Sequence, residues 1–466
     1  MKKLLAILLS LACVFTALTG CTSGNTTPTA EPITAAPAAD PTQAPVQEPA
    51  ASEIVVEEPV AASVTINTFS TYAGSDGNAQ NYQDALKAWQ DKTGNKVSDT
   101  SATSDENLKS RIRTDFSTGS EPDALFYFTG ADADTFLDKV VSVADVRKEF
   151  PDYASNMKDD AVAFATDGNW YAIPVNGYWE NFFVNKTVLE AAGVAVPGPE
   201  YSWDQFLSDC QKIKDAGYTP VTASFVDVPH YWWEFAIFNN TSPKTHGNIP
   251  KAADDDAAKA WIAGMNDIKQ VYDLGYFPEN SLSDKYESLQ ELFYTDKAAF
   301  MLDGSWTANA VKTRCSDDAG NINPDLIKNY TVCNFPSKTA DRKSTDMIGG
   351  MSSGWYITQK AWNDPAKKAA VVDFISFMTS DEEVSRFTGT GSSALKNGVT
   401  LDSSSLSSLD NDIIASMVSA TTYTPAVQDA VAGDARNAMF QAVPQMLAGA
   451  VTPEQLIDDF IKTFPQ

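Results

Sequence analysis

Histidine is nearly missing: the 466 residues include two, His230 and His246, far apart in the chain. No CxxC or HExxH spacing occurs either, so a transition-metal site has little to build on and no metal is expected. Positive charge is scarce. Lys and Arg number 34 against 61 Asp and Glu, a formal charge of -27, and such a surface repels phosphate backbones, which excludes nucleic acid as a partner. No GxxxxGK[ST] phosphate loop is present, and no cofactor is expected. The absence of any tandem repeat of 20 to 50 residues excludes a solenoid. Past residue 20 no apolar run is long enough to span a bilayer.

What the chain does have is apolar and aromatic material, 43% and 11% of its residues, enough for the cores of two or three domains. Residues 1–20, MKKLLAILLSLACVFTALTG, place Lys2 and Lys3 ahead of a short apolar run and read as a secretory signal peptide. The signal ends in LTGC, which resembles the lipobox of bacterial lipoproteins and makes Cys21 the lipid-bearing first residue of the mature chain. Residues 21–62 are rich in Pro, Ala and Thr, with Pro28, Pro32, Pro37, Pro41, Pro45 and Pro49 at nearly regular intervals. A segment of that composition buries no core; it is expected to be a disordered, extended tether reaching about 100 Å at roughly 3.1 Å per residue. Cys210, Cys315 and Cys333 remain, an odd count that rules out a complete disulfide framework. Cys315 and Cys333 either pair or stay as buried thiols.

From Ser63 the pattern alternates strand and helix. SVTINTF at 63–69 is β-branched and alternating, hence a strand. Tyr82, Ala85, Leu86 and Trp89 fall on one helical face that Gly94 terminates, and Leu108, Ile112 and Phe116 form a second face ending at Gly119. ALFYF at 124–128 is a continuous apolar run suited to a sheet covered on both sides. Ser202 and Gln205 make a capping box, and a helix is expected from about Ala257 to Leu274. The order strand, helix, strand, helix, strand is the α/β signature.

Seven segments in one order resemble the extracellular solute-binding proteins of the sugar-type ABC importers, the family of maltose-binding protein. They include GSEPDALFYF at 119–128, DGNWYAIPVNGYWENFFVNKTVLEAAGV at 167–194, YSWDQFLSDCQKIKDAGYTPV at 201–221, FYTDKAAFMLDGSWTANAV at 293–311 and IGGMSSGWYIT at 348–358. The resemblance implies a type II periplasmic-binding-protein-like fold, α/β, with two lobes that are discontinuous in sequence and joined by a hinge. Residues 63–177 with 334–377 would form the N-terminal lobe, and 178–333 with 378–466 the C-terminal lobe. Connecting strands would cross near 176–182 and 330–333. It further implies a monomer on the outer face of the bacterial cytoplasmic membrane, anchored through Cys21, that does no chemistry and passes a carbohydrate to ABC permease subunits.

A pyranose presents an apolar C–H face and a rim of hydroxyls, so its site needs flat aromatic rings beside fixed carboxylates or amides. The sequence puts such pairs where loops should meet the cleft: Tyr72 with Asp76; Tyr127 and Thr129 with Asp132; Tyr178 and Trp179 with Glu180; Asp303 with Trp306; and Gly350 with Met351. In DVPHYWWEFAIFNN at 227–240, Tyr231, Trp232 and Trp233 precede Glu234. Adjacent residues of a helix point about 100° apart, so the three cannot share one core; at least one of them is expected in the cleft, with Trp232 and Trp233 as the candidate ligand contacts. His230 is expected to be structural. Two other classes compete. A secreted glycoside hydrolase needs two acids about 5 to 9.5 Å apart, and a polyamine receptor on the same fold would use aromatics and acids as a cation box.

Overall fold

The computed structural model describes residues 63–463 except 75, 159–164, 166, 390–392, 400–405 and 432; the expected signal peptide, Cys21 and tether lie outside the described residues. The strands in chain order are β1 (Thr65–Phe69), β2 (Lys96–Asp99), β3 (Ala124–Phe128), β4 (Tyr178–Asn185) and β5 (Thr219–Thr222). Then come β6 (Ala298–Gly304), β7 (Tyr330–Cys333), β8 (Asp346–Gly350), β9 (Ser353–Ile357) and β10 (Thr422–Thr424).

They form two sheets. The first has the order β2-β1-β3-β9, with β1 parallel to β2 and β3, and β9 antiparallel at the edge. Parallel neighbours need a crossover, supplied here by helices Ala79–Thr93 and Glu106–Thr118. The first buries Tyr82, Ala85, Leu86 and Trp89 and stops at Gly94 in the left-handed conformation. The second starts at Asp105, whose carboxylate accepts from the Leu108 N–H. Tyr82, Trp89, Phe126, Trp355 and Phe374 lie in this sheet's core. The second sheet runs β10-β8-β4-β6-β5, with β7 also on β4. Its core gathers Phe182, Phe206, Trp232, Phe300 and Phe335, and helix Trp203–Asp215 carries the capping box expected from Ser202 and Gln205.

The chain is thus α/β and two-lobed. It enters the second sheet at Tyr178. β7 pairs with residues 182–185 of β4 and β8 pairs with Tyr178 and Trp179, so Asp346–Gly350 belongs to the second sheet and the return falls between Gly350 and Ser353. Helices Lys368–Met378 and Asp381–Thr388 then contribute Phe374, Val384 and Phe387 to the first core, which carries that lobe past residue 377. Strand register and helix docking set these crossings, which no local pattern around 334 or 377 encodes. Cys210, Cys315 and Cys333 are free and buried.

Candidate functional site

Where β4 begins and β6 ends, the pleat separates two sets of side chains. Glu180 lies opposite Gly304 and Asn181 opposite Asp303. Beyond Gly304 the chain turns through Ser305 and Trp306 into helix Thr307–Arg314. The Trp306 ring folds back flat over Gly304: a Cβ there would stand 2.1 to 2.3 Å from three ring carbons, so only glycine fits. Trp306 keeps 38% of its surface exposed, the one tryptophan among the exposed large apolar side chains of the described residues. Its ring centroid lies 6.4 Å from Tyr178 and 6.5 Å from Tyr231, and Tyr231 is 6.3 Å from Tyr286. The first lobe closes this group from the other side. Tyr72 Oη donates to Asn176 Oδ1 at 3.1 Å, and Asn309 Nδ2, one turn past Trp306, reaches the Gly77 carbonyl at 3.5 Å.

Four acids stand beside the rings. Glu180 and Glu234 are 3% and 0% exposed, and no side chain donates to Glu180 Oε2 or to either oxygen of Glu234, beside which lies the Gln428 N–H. Burial raises both carboxyls, and for Glu234 the neighbouring Glu180 adds to it. Asp429, on the 3-10 turn Val427–Ala430, is pushed up to about 6 by burial. Asp303 is better supplied: Tyr286 Oη donates at 2.6 Å, Gln290 Nε2 at 3.0 Å and the Gly304 N–H at 2.7 Å. Tyr178 Oη accepts from the Ala426 N–H at 3.1 Å.

Of the expected site residues, Tyr178, Glu180, Asp303 and Trp306 come together here. Tyr72 is buried and stacked on Phe126 at 4.4 Å. Asp76 accepts from the Asn78 N–H at 2.7 Å, and burial lifts its carboxyl to about 6. Gly350 pairs with Tyr178, and Met351 packs on the first core. Thr129 is half-buried and its N–H donates to the Ser352 carbonyl at 2.7 Å. Trp179 points to the other side of β4, over Gly349 and 4.3 Å from the Tyr423 ring.

Three expectations are corrected. Tyr127 lies in the core behind the first sheet. Trp232 and Trp233 are in the core of the second lobe, against Phe277 and Trp261, because helix His230–Phe238 is buried on nearly every side; of the three adjacent rings, Tyr231 is the one that faces Trp306. Asp132 is spent in an ion pair with Arg436. The reading by type and position underrated Tyr231, Glu234, Tyr286, Asp429 and Arg436. Glu234 left a trace, as the lone acid in the run HYWWEFAIF. His230 stacks on Phe440 at 5.4 Å, a structural place.

Residues 74–384 match the model of the bacterial extracellular solute-binding protein family. The chain belongs to that family. Its fold is shared with solved structures of low sequence identity. A chitin oligosaccharide binding protein superposes with a TM-score of 0.74 at 22% identity, covering 86% of this chain and 98% of its own. The GacH receptor of Streptomyces glaucescens, solved unliganded and with acarbose, gives 0.66 at 18% identity over 86% and 97%. An ABC substrate-binding protein of Listeria monocytogenes in complex with cycloalternan gives 0.63 at 15% identity over the same shares. No curated protein matches the chain. Among the described residues no helix is long and apolar enough to cross a membrane.

Proposed function

We propose that this solute-binding protein is the extracytoplasmic, non-catalytic receptor of an ABC importer for a carbohydrate, an oligosaccharide in particular. Cys21 holds it to the outer face of the membrane, and it delivers its solute to separate permease subunits. The observation that carries the reading is the half-exposed Trp306 ring, flanked by Tyr178 and Tyr231 and bordered by Glu180 and Asp303. Rings of this kind cover the apolar face of a pyranose, and the carboxylates accept from its hydroxyls. The chitin oligosaccharide binding protein, the GacH receptor with acarbose and the Listeria protein with cycloalternan support the same class. The two lobes meet around the site, so capture proceeds by hinge closure.

The test is a thermal-shift screen over oligosaccharides, followed by calorimetry and a product assay on each hit. A saccharide at 100 times its Kd adds about 2.7 kcal/mol of stability. Stabilisation without turnover is the expected result. Turnover would replace the receptor with a hydrolase, and a screen in which no saccharide stabilises the protein would overturn the carbohydrate reading.

A further inference from the structure

The acids beside the aromatic group pose an electrostatic problem that a neutral sugar does not solve. Glu180 of β4 and Glu234 of helix His230–Phe238 face each other inside the protein, and the charged groups around them are further acids, Asp429 and Asp303. Lys109 and Arg436 act on Asp429, but both are engaged by Asp132 and Glu106. As carboxylates the two glutamates only accept, and apart from the Gln428 N–H beside Glu234 no donor meets Glu180 Oε2, Glu234 Oε1 or Glu234 Oε2. A buried charge without a partner is among the costliest arrangements in a protein. Two occupants can relieve it. A proton shared between the carboxyls does so in the empty protein; a cation does so in the loaded one.

The surroundings select the kind of cation. Among the described residues no three His, Cys, Asp or Glu side chains are grouped to hold a metal ion. Tyr178 and Tyr231 border the same carboxyls, since Glu180 and Glu234 both act on their hydroxyls. Aromatic faces beside carboxylates suit an ammonium, which combines cation–π attraction with N–H donors for carboxylate oxygens that the protein leaves poorly supplied. We infer that the solute carries a primary amino group seated against Glu180 and Glu234, as in an oligosaccharide of amino sugars with free amines. This rests on the carbohydrate-receptor reading and narrows its substrate class.

The experiment is calorimetry on the full chain at pH 7 with a glucosamine tetramer, its fully N-acetylated form and a glucose tetramer. The free amine should bind at least about tenfold tighter than its N-acetylated counterpart. Its binding should also release protons on balance, which the neutral tetramers do not, read from the dependence of the heat on buffer ionisation, because the ammonium displaces protons that burial holds on the pair; the groups facing it are Glu180, Glu234, Asp303, Asp429, Tyr178 and Tyr231. Glu234→Gln should bring the amine preference near unity. The proton count on the unaltered protein decides the matter even if that variant folds poorly. Equal or tighter binding of the N-acetylated or glucose tetramer overturns the amine inference and leaves the carbohydrate receptor standing. Binding of spermidine with no binding of any tetramer overturns the carbohydrate reading instead.

Discussion

Arg436 and Asp132 form a bidentate ion pair, with both Nη to Oδ distances at 2.8 Å, between helix Gly433–Leu447 and the 3-10 segment Gly130–Lys139. The helix packs in the core of the second lobe and the segment in that of the first. Arg436 is 1% exposed, also reaches Glu106 Oε1 at 3.3 Å, and shares Glu106 and Asp132 with Lys109. Burial works against the Asp132 carboxylate, yet Lys109 and Arg436 hold its pKa below the ordinary value. The pair is thus a joint between the lobes, and the charges on it balance.

A joint of this kind sets the open–closed equilibrium. Removing one partner from a buried pair costs about 3 to 5 kcal/mol where the other charge stays buried; here the lobes escape that cost by parting and letting water reach Asp132. Arg436→Gln is therefore expected to raise the radius of gyration of the ligand-free protein in small-angle scattering and to weaken solute binding about tenfold or more. Identical scattering curves for the two proteins, with equal affinities, would show that the joint does not govern closure.

The acid cluster makes stability depend on pH in a direction opposite to ordinary acid denaturation. Asp76 and Asp429 sit at about 6, and Glu180 and Glu234 are also raised, whereas unfolded carboxyls titrate near 4. A raised carboxyl binds protons more tightly when folded, so its stabilisation is complete below about pH 4 and is lost as pH rises through the folded value. Asp132, held low, has the reverse sign, and its contribution is lost only as pH falls below about 4. His230 and His246, held low by burial, act with the opposite sign until their unfolded imidazoles lose their protons near pH 6.5; above that range, between about pH 7 and 8.5, the ligand-free melting temperature should fall, and Glu234→Gln should flatten the slope. A melting temperature that climbs over this range would mean that the cluster is ionised and solvated.

Attachment is expected to depend on one atom, the sulfur of Cys21. On the lipoprotein proposal LTGC puts that cysteine at the start of the mature chain, and residues 22–62 contain no long apolar run. Cys21→Ser should move the protein from the membrane fraction to the soluble one, as read by fractionation and blotting. Retention in the membrane fraction would sink the lipoprotein assignment.

Periodicity revealed what local interactions decide. The helix face Tyr82, Ala85, Leu86 and Trp89, the Ser202 cap and the buried ALFYF strand are all observed, because helix faces, caps and strands are fixed within a few residues. Trp306 was legible for the same reason: a turn beginning DGS leaves its ring outside. Trp232 and Trp233 were not, because their helix is covered by Phe277, Phe335, Trp261 and Phe440 from distant segments. Asp132 had the right type and place for a ligand contact, but its partner is 304 residues away. Separation in sequence likewise hides the pairing of Glu180 with Glu234 and the placement of Asp429.

The contrast between two tryptophans tests the whole assignment of the site. Trp306→Ala removes a half-exposed ring that lies over Gly304 and beside Tyr178 and Tyr231. An aromatic anchor typically costs about 2 kcal/mol or more of binding when truncated, so affinity should fall by more than about tenfold while the denaturant midpoint moves little. Gly304→Ala should reproduce the loss with the indole still present, since the added methyl occupies the place of the ring. Trp233→Ala should behave in the opposite way. Its ring is 0% exposed, packed against Trp261 and Phe440, and a buried ring of that size costs about 3 to 5 kcal/mol of folding free energy. The folded fraction should still bind. Calorimetry and denaturant melts on the three variants give six numbers with a fixed pattern. A Trp306→Ala protein that loses stability yet keeps its affinity would move the site away from this aromatic group.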